Sequence, residues 1–177
     1  MIDEQLTPEL KGKSNIVYTS LNRYERKKNI PLAIKAFHKY LQDEKEYRNE
    51  ILVIAGGYDP RVAENVEHYD ELQKLTKDYA LVGRVVFLKS ISNQHRLELL
   101  KKTAILMYTP ANEHFGIVPV EAMFMGCAVI ACNSGGPLES IEDKVTGLLL
   151  PPEADTWATG LSQLKGTNLD LMRAAGR

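Results

Sequence analysis

Two glutamates, Glu113 and Glu121, stand eight residues apart around Gly116 in the stretch EHFGIVPVE. A carboxylate can accept hydrogen bonds from two neighbouring hydroxyls, which suits the vicinal diol of a ribose or a hexose. A second cluster is basic: RYERKKN places Arg23, Arg26, Lys27 and Lys28 just ahead of a helix expected to begin near Pro31. Cations there repel the positive end of the helix dipole unless an anion lies between them. A phosphate would satisfy both, meeting the Arg fork and the Lys point charge. Taken singly, each cluster also fits plainer readings: a solvated charged loop, two surface carboxylates, or the paired acids of a glycosidase. A hydrolase does not need a cationic loop beside its acids, which counts against the last.

These residues need a scaffold that brings separated loops together. Short β-branched runs alternate with amphipathic stretches, which predicts a Rossmann-like parallel sheet of about six strands with helices on both faces. The strands are expected at Ile16–Ser20, Ile51–Gly57, Val85–Leu88, Ile105–Thr109, Ala128–Ala131 and Gly147–Leu150. Helices are expected from Pro31, over Ala63–Tyr79 with Val66, Tyr69, Leu72 and Leu75 inward, from a Ser92 cap to about Lys102, from about Val118, and around Trp157. Such sheets bind ligands where the carboxyl ends of strands lead into helix N-termini. Both charged clusters fall on loops of that kind.

Backbone groups add to the site. The turn from Asn112 to Ile117 leads into a helix whose first N–H groups have no intrahelical partner, a natural seat for an anion. Gly116 allows close approach to the backbone, and Pro119 sits where a missing N–H costs little. Gly56–Gly57 end the second strand, and Gly135–Gly136 offer another permissive turn.

Composition narrows the classes. In 177 residues, 44% hydrophobic, the 22 Lys and Arg nearly balance the 23 Asp and Glu, which leaves no basic excess for nucleic acid. No run of about 18 apolar residues could span a membrane. Two cysteines, Cys127 and Cys132, lack metal-ligand spacing and read as small buried hydrophobes in a reducing compartment. A dinucleotide-dependent oxidoreductase would need G-x-G-x-x-G after the first strand, but LNRYERKKN stands there with no glycine. Residues 1–14 are polar and read as a linker, leaving 15–177 as one domain.

PANEHFGIVPVEAMFMGCAVIACNSGGPLESI and RYERKKN together resemble the signature of the retaining, two-domain GT-B glycosyltransferases of the glycogen-synthase and mannosyltransferase type. The likeness runs from about Ile16 to the end and is nearest to mannosyltransferases that assemble dolichol-linked oligosaccharides. It implies that the chain is the C-terminal half of such an enzyme, without the N-terminal acceptor domain and the final crossover helix. It implies donor-diphosphate binding and catalytic charge stabilisation by Arg23 and Lys28, and ribose binding by Glu121. Glu113, with the backbone at Phe115, Gly116 and Ile117, is implied to hold the donor sugar and diphosphate. Gly56 and the Leu88 region are implied to lie against the nucleotide, with Leu88 near the base. The implied donor is GDP-mannose and the implied acceptor a dolichyl-diphosphate-linked oligosaccharide, at the cytoplasmic face of the endoplasmic reticulum membrane. No metal or other cofactor is implied, and no Asp-x-Asp motif occurs. A non-catalytic nucleotide-sugar binding module would share every motif, and the chain alone is expected to bind donor without transferring it. His114, where many relatives have glycine, reads as a surface residue or as support for the donor-sugar contacts.

Overall fold

The computed structural model describes residues 2–5, 8, 11–13, 15–43 and 49–177. Six strands form one parallel sheet: β1 (Ile16–Leu21), β2 (Glu50–Gly56), β3 (Val85–Lys89), β4 (Thr103–Tyr108), β5 (Ala128–Cys132) and β6 (Leu148–Leu150). Their order in space is β3-β2-β1-β4-β5-β6. The chain therefore builds outward from β1 in one direction, then returns to β4 and builds the other way. The switch point falls between β1 and β4, and the loops after those two strands flank the crevice there.

The strands are buried because both faces are covered, as apolar runs without alternation foretell. Successive side chains still point to opposite layers. Tyr18, Leu52, Ile54, Ile105, Met107 and Ile130 join one core layer, whereas Val17, Ile51, Val53, Val86, Leu106 and Val129 join the other. The first layer packs under α1 (Ile30–Asp43) and α6 (Ala154–Gln163), which also pack on each other. The second packs under α3 (Asn93–Lys102) and α4 (Ile117–Phe124).

Three local readings change. The helix α2 (Ala63–Asp78) buries Asn65, His68, Leu72 and Thr76, leaving Val66 only half-buried. Its inward face is rotated toward polar residues because Asn65 has work to do there: its amide donates to Tyr24 O at 3.1 Å, and its Oδ1 accepts from Asp59 N at 3.0 Å. The Gly-rich turn after β5 contains a short helix, α5 (Pro137–Ser140), with Pro137 at a first-turn position where its fixed φ suits a helix. A further helix, α7 (Thr167–Ala175), follows the one around Trp157.

The stretch read as a linker lies partly outside the described residues. Within it, Gln5 pairs with the outer edge of the sheet. Its Nε2 donates to Phe87 O and its Oε1 accepts from Phe87 N, both at 2.9 Å. That side-chain amide mimics a peptide and covers a pair of backbone groups that edge strand β3 would otherwise leave open.

Trp157 anchors α6. Its ring is fully buried and its Nε1 donates to Pro151 O at 2.9 Å. Trp157→Ala is expected to lower unfolding free energy by about 3–5 kcal/mol, the usual cost of truncating a large buried aromatic. Urea titration followed by circular dichroism measures it; a loss under about 1 kcal/mol would refute the anchoring role.

Candidate functional site

The loops at the carboxyl ends of the strands are stitched into one rim. Tyr24 N donates to Gly57 O at 3.1 Å, joining the loops after β1 and β2. Ser90 N donates to Gly56 O at 2.8 Å, and Ser90 Oγ donates to Tyr58 O at 2.9 Å, joining β2 to β3. Across the switch point, Thr109 Oγ1 donates to Lys28 O at 2.6 Å. Gly136 N donates to Glu113 O at 2.7 Å, and Asn112 N to Ser134 Oγ at 3.1 Å, joining β4 to β5. Asn29, Ser90 and Asn112 adopt left-handed backbone within these loops, with φ of 49°, 47° and 56°. Asn tolerates that region better than most residues, and such strain collects where surrounding structure over-determines a loop.

Glycines permit the closeness. A Cβ on Gly56 would lie 1.8 Å from Asn22 O, so the ends of β1 and β2 meet only because Gly56 has no side chain. A Cβ on Gly136 would lie 2.1 Å from Phe115 O. The Gly135–Gly136 turn thus serves the docking of two loops. Gly116, at φ 70°, is the N-cap of α4.

The basic loop divides by partner. Arg26 is drawn away from the crevice, donating to Glu67 Oε2 at 3.0 Å and Glu71 Oε1 at 2.7 Å on α2. Those bonds raise the Arg26 pKa and lower that of Glu71, whose first cause is the Arg26 bond and whose second is His68. Lys27 reaches Glu25 at 3.2 Å. Lys28 pairs with Glu113, Nζ to Oε1 at 2.6 Å, with both side chains largely shielded from solvent. The anion expected between loop and helix is supplied, for three of the four cations, by the protein's own carboxylates. Arg23 differs: its side chain is 74% exposed and lies 3.8 Å from Glu25, a loose contact that leaves it able to meet a ligand.

A cavity of about 350 Å³ opens at this rim, lined by Arg23, Gly56, Gly57, Ser90, Arg96 and Val118 among others. It sits between the ends of β1 and β2 and the first turns of α3 and α4, so helix N-termini face it. A larger cavity, about 630 Å³, runs beside α3 under Ile2 and Asp3; it includes Leu88 but none of the paired acids and cations of the rim. Among the described residues, no three His, Cys, Asp or Glu side chains gather as a metal site would require.

The sites read from the sequence fall as follows. Arg23 and Gly56 line the rim cavity; Lys28 and Glu113 form the ion pair; Glu121 lies on α4, bound by Arg96. Phe115 and Ile117 are more than half exposed beside Gly116. Leu88 is buried, and its carbonyl accepts from Tyr24 OH at 3.2 Å. His114 is exposed.

Residues 1–174 match the family model of the glycosyl transferases group 1. The chain belongs to that family. It is 50% identical over 145 residues to the α-1,3/1,6-mannosyltransferase ALG2 of Mus musculus, covering 81% of this chain and 35% of that protein. To the α-1,3/1,6-mannosyltransferase ALG2 of Saccharomyces cerevisiae it is 41% identical over 192 residues, covering 92% and 38%. The chain thus spans well under half the length of these curated relatives. Its backbone matches HepE of Anabaena, solved with UDP and glucose, at a TM-score of 0.80 and 23% identity, covering 92% of this chain and 42% of that one. It also matches the C-terminal domain of LpcC, a group 1 glycosyltransferase from Francisella tularensis, at 0.77 and 24% identity, covering 98% and 85%. The fold is therefore that of a GT-B C-terminal domain, as the motifs imply.

Sequence reasoning missed three residues of this glycosyltransferase domain. Tyr24, inside RYERKKN, is fully buried and its hydroxyl bridges Ile54 O at 3.0 Å and Leu88 O, pinning the cationic loop to β2 and β3. Its position between two charged residues was the available signal. Thr109 and Arg96 carried none, since their partners lie 81 and 25 residues away.

Two outcomes test this geometry. Gly136→Ala must displace the Phe115 carbonyl, so it should cost about 1–3 kcal/mol of stability, typical of overpacking. Hydrogen exchange at the Asn112 amide, which donates to Ser134 Oγ across the same junction, should quicken with it; unchanged exchange would show that the loops do not dock. Burial pushes the Cys127 thiol up to about 12 and Cys132 up to about 11, and their Sγ atoms donate to Leu100 O and Thr109 O. Both thiols should resist iodoacetamide at pH 8 in the folded chain and react once urea unfolds it; alkylation without unfolding would contradict that burial.

Proposed function

We propose that this chain is the donor-binding half of a mannosyltransferase that transfers mannose from GDP-mannose, with retention, to a dolichyl-diphosphate-linked oligosaccharide. The observation that carries the reading is that the loops after β1 and β4, which flank the sheet's switch point, are joined by the Lys28–Glu113 pair, with Arg23 exposed on the first loop and Glu121 held by Arg96 on the helix after the second. The identity to named mannosyltransferases supports the choice of sugar and acceptor. The acceptor itself would be met by a part of the enzyme that this chain does not span. Its place would be the cytoplasmic face of the endoplasmic reticulum membrane. No helix among the described residues is long and apolar enough to cross a bilayer, so attachment would come from other segments or partner proteins.

In this reading the donor diphosphate settles over the N-terminus of α4, where free backbone N–H groups and the helix dipole favour an anion. Arg23 swings onto it from solvent. Lys28 shares its charge between the diphosphate and Glu113, and the Glu113 carboxylate gains freedom to accept from sugar hydroxyls. As the glycosidic carbon–oxygen bond breaks, negative charge grows on the departing nucleotide diphosphate. Arg23 and Lys28 are already in place to stabilise it, so little reorganisation is needed during the reaction. Glu121, inside α4 and held by a cation, offers a carboxylate to the ribose diol. None of these steps calls for a metal ion.

Calorimetric titration of the folded chain with GDP, with UDP as the comparison, tests the reading. GDP should bind more tightly, and Arg23→Ala should weaken it by about tenfold, the worth of one hydrogen bond to a charged group. Equal affinity for both nucleotides would remove the case for a guanosine donor. Arg23→Ala binding as well as the parent chain would take the diphosphate off the basic loop.

A further inference from the structure

Arg96 belongs to no motif that the sequence presents, yet it makes the closest side-chain contact that Glu121 has. It sits in the first turns of α3, and its Nη1 donates to Glu121 Oε2 across the gap to α4. Arg96 and Glu121 are only 29% and 31% exposed, so the pair is shielded from solvent on most sides. Arg96 also lines the 350 Å³ cavity beside Arg23, Gly56 and Ser90. Its Nε is buried and has no hydrogen-bond partner among the described residues.

A cation in the opening turns of a helix is misplaced on dipole grounds, because it adds charge to the positive end. What offsets that cost here is a single carboxylate, on another helix. The pair also solves a problem for Glu121. A glutamate has three rotatable bonds and loses appreciable entropy when held in one geometry. With one oxygen held by a guanidinium, the carboxylate has less freedom left to lose when a ligand meets its second oxygen. Preorganisation of this kind lowers the cost of forming the ligand's own bonds.

The structure assigns to Arg96 the role of a positioning residue: it holds the Glu121 carboxylate ready for the 2′- and 3′-hydroxyls of a nucleotide, so that ribose recognition depends on α3 as well as α4. The assignment rests on the donor-site reading given above and deepens it. Arg96 acts through Glu121; the discrimination it creates is between a ribose diol and a sugar lacking those hydroxyls, whatever the base.

The test uses two ligands, GDP and 2′,3′-dideoxy-GDP, titrated into the folded wild-type chain and into Arg96→Ala, Arg96→Lys, Glu121→Gln and the Arg96→Ala/Glu121→Gln double variant. The wild type should prefer GDP over the dideoxy analogue. Arg96→Ala should shrink that preference by about tenfold while leaving affinity for the analogue nearly unchanged, since only the bonds to the diol depend on an oriented carboxylate. Arg96→Lys, which keeps the charge and protects against a simple folding defect, should retain most of the preference. Adding Arg96→Ala to Glu121→Gln should change nothing further, because two residues acting as one unit are not additive.

An equal loss of affinity for both nucleotides in Arg96→Ala would place Arg96 on the phosphates or in the scaffold alone, and would overturn the assignment. So would a gain in GDP affinity, which would make Arg96 a competitor for the carboxylate. If the folded wild-type chain bound neither nucleotide, the donor-site reading would fall and this assignment with it. If the wild type preferred GDP and Arg96→Ala kept the full preference, only the role of Arg96 would be lost.

Discussion

The carboxyl end of this sheet is organised by one contact across its switch point, the ion pair between Lys28 and Glu113. The strand order reverses between β1 and β4, so the loops after them run to opposite sides and leave a crevice. Nothing in a parallel ladder holds those two loops together, because the hydrogen bonds end with the strands. The ion pair does so, helped by Thr109, whose hydroxyl donates to the Lys28 carbonyl. Both charges are largely shielded, so each depends on the other to offset its desolvation. A pair of that kind holds two opposite charges in fixed positions and leaves no net charge between them.

The rest of the rim extends from that pair through backbone bonds. The Glu113 carbonyl receives Gly136 N from the loop after β5, and the Lys28 end is tied by Tyr24 to the loops after β2 and β3. Around Tyr24 stand Tyr58, Tyr69 and Phe87 in edge-to-face contacts, with centroids 5.6–5.9 Å apart, and Lys89 lies over Tyr58 and Tyr69. Such contacts are directional as well as apolar, and they hold the outer loops where simple burial would only bring them near. Asn65 of α2 faces inward for the same purpose, bonding the backbone at Tyr24 and Asp59: a helix that supports these loops spends part of its buried face on hydrogen bonds.

Much of this was legible before the fold was known, and the reasons are specific. The strands could be read because apolar runs of four to seven residues, such as ILVIAGG, suit a sheet covered on both faces. Glu113, Glu121, Arg23 and Lys28 could be singled out as charged groups in the loops and helix starts that follow strands, and the fold does put each of them there. Ser92 could be read as a helix cap, and its Oγ does accept from His95 N at 3.2 Å. The inward turn of α2 could not, since periodicity counts apolar residues and the face actually buried is mixed. Nor could the division of labour within RYERKKN, where Arg26 turns to α2, Lys28 crosses to Glu113, and Arg23 and Lys27 stay near Glu25.

Local sequence determined what acts over a few residues: where backbone alternates or coils, where a glycine frees the chain, and which side chains carry charge. It also carried the family signature, because that signature is a set of residue types at short spacings. Tertiary structure alone decided which charges meet. Arg96 finds Glu121, and Lys28 finds Glu113, through the order in which six strands assemble. That order is set by long-range packing of two core layers and leaves no mark at either partner's place in the chain. A carboxylate in isolation is a negative charge; which cation holds it is decided by the fold.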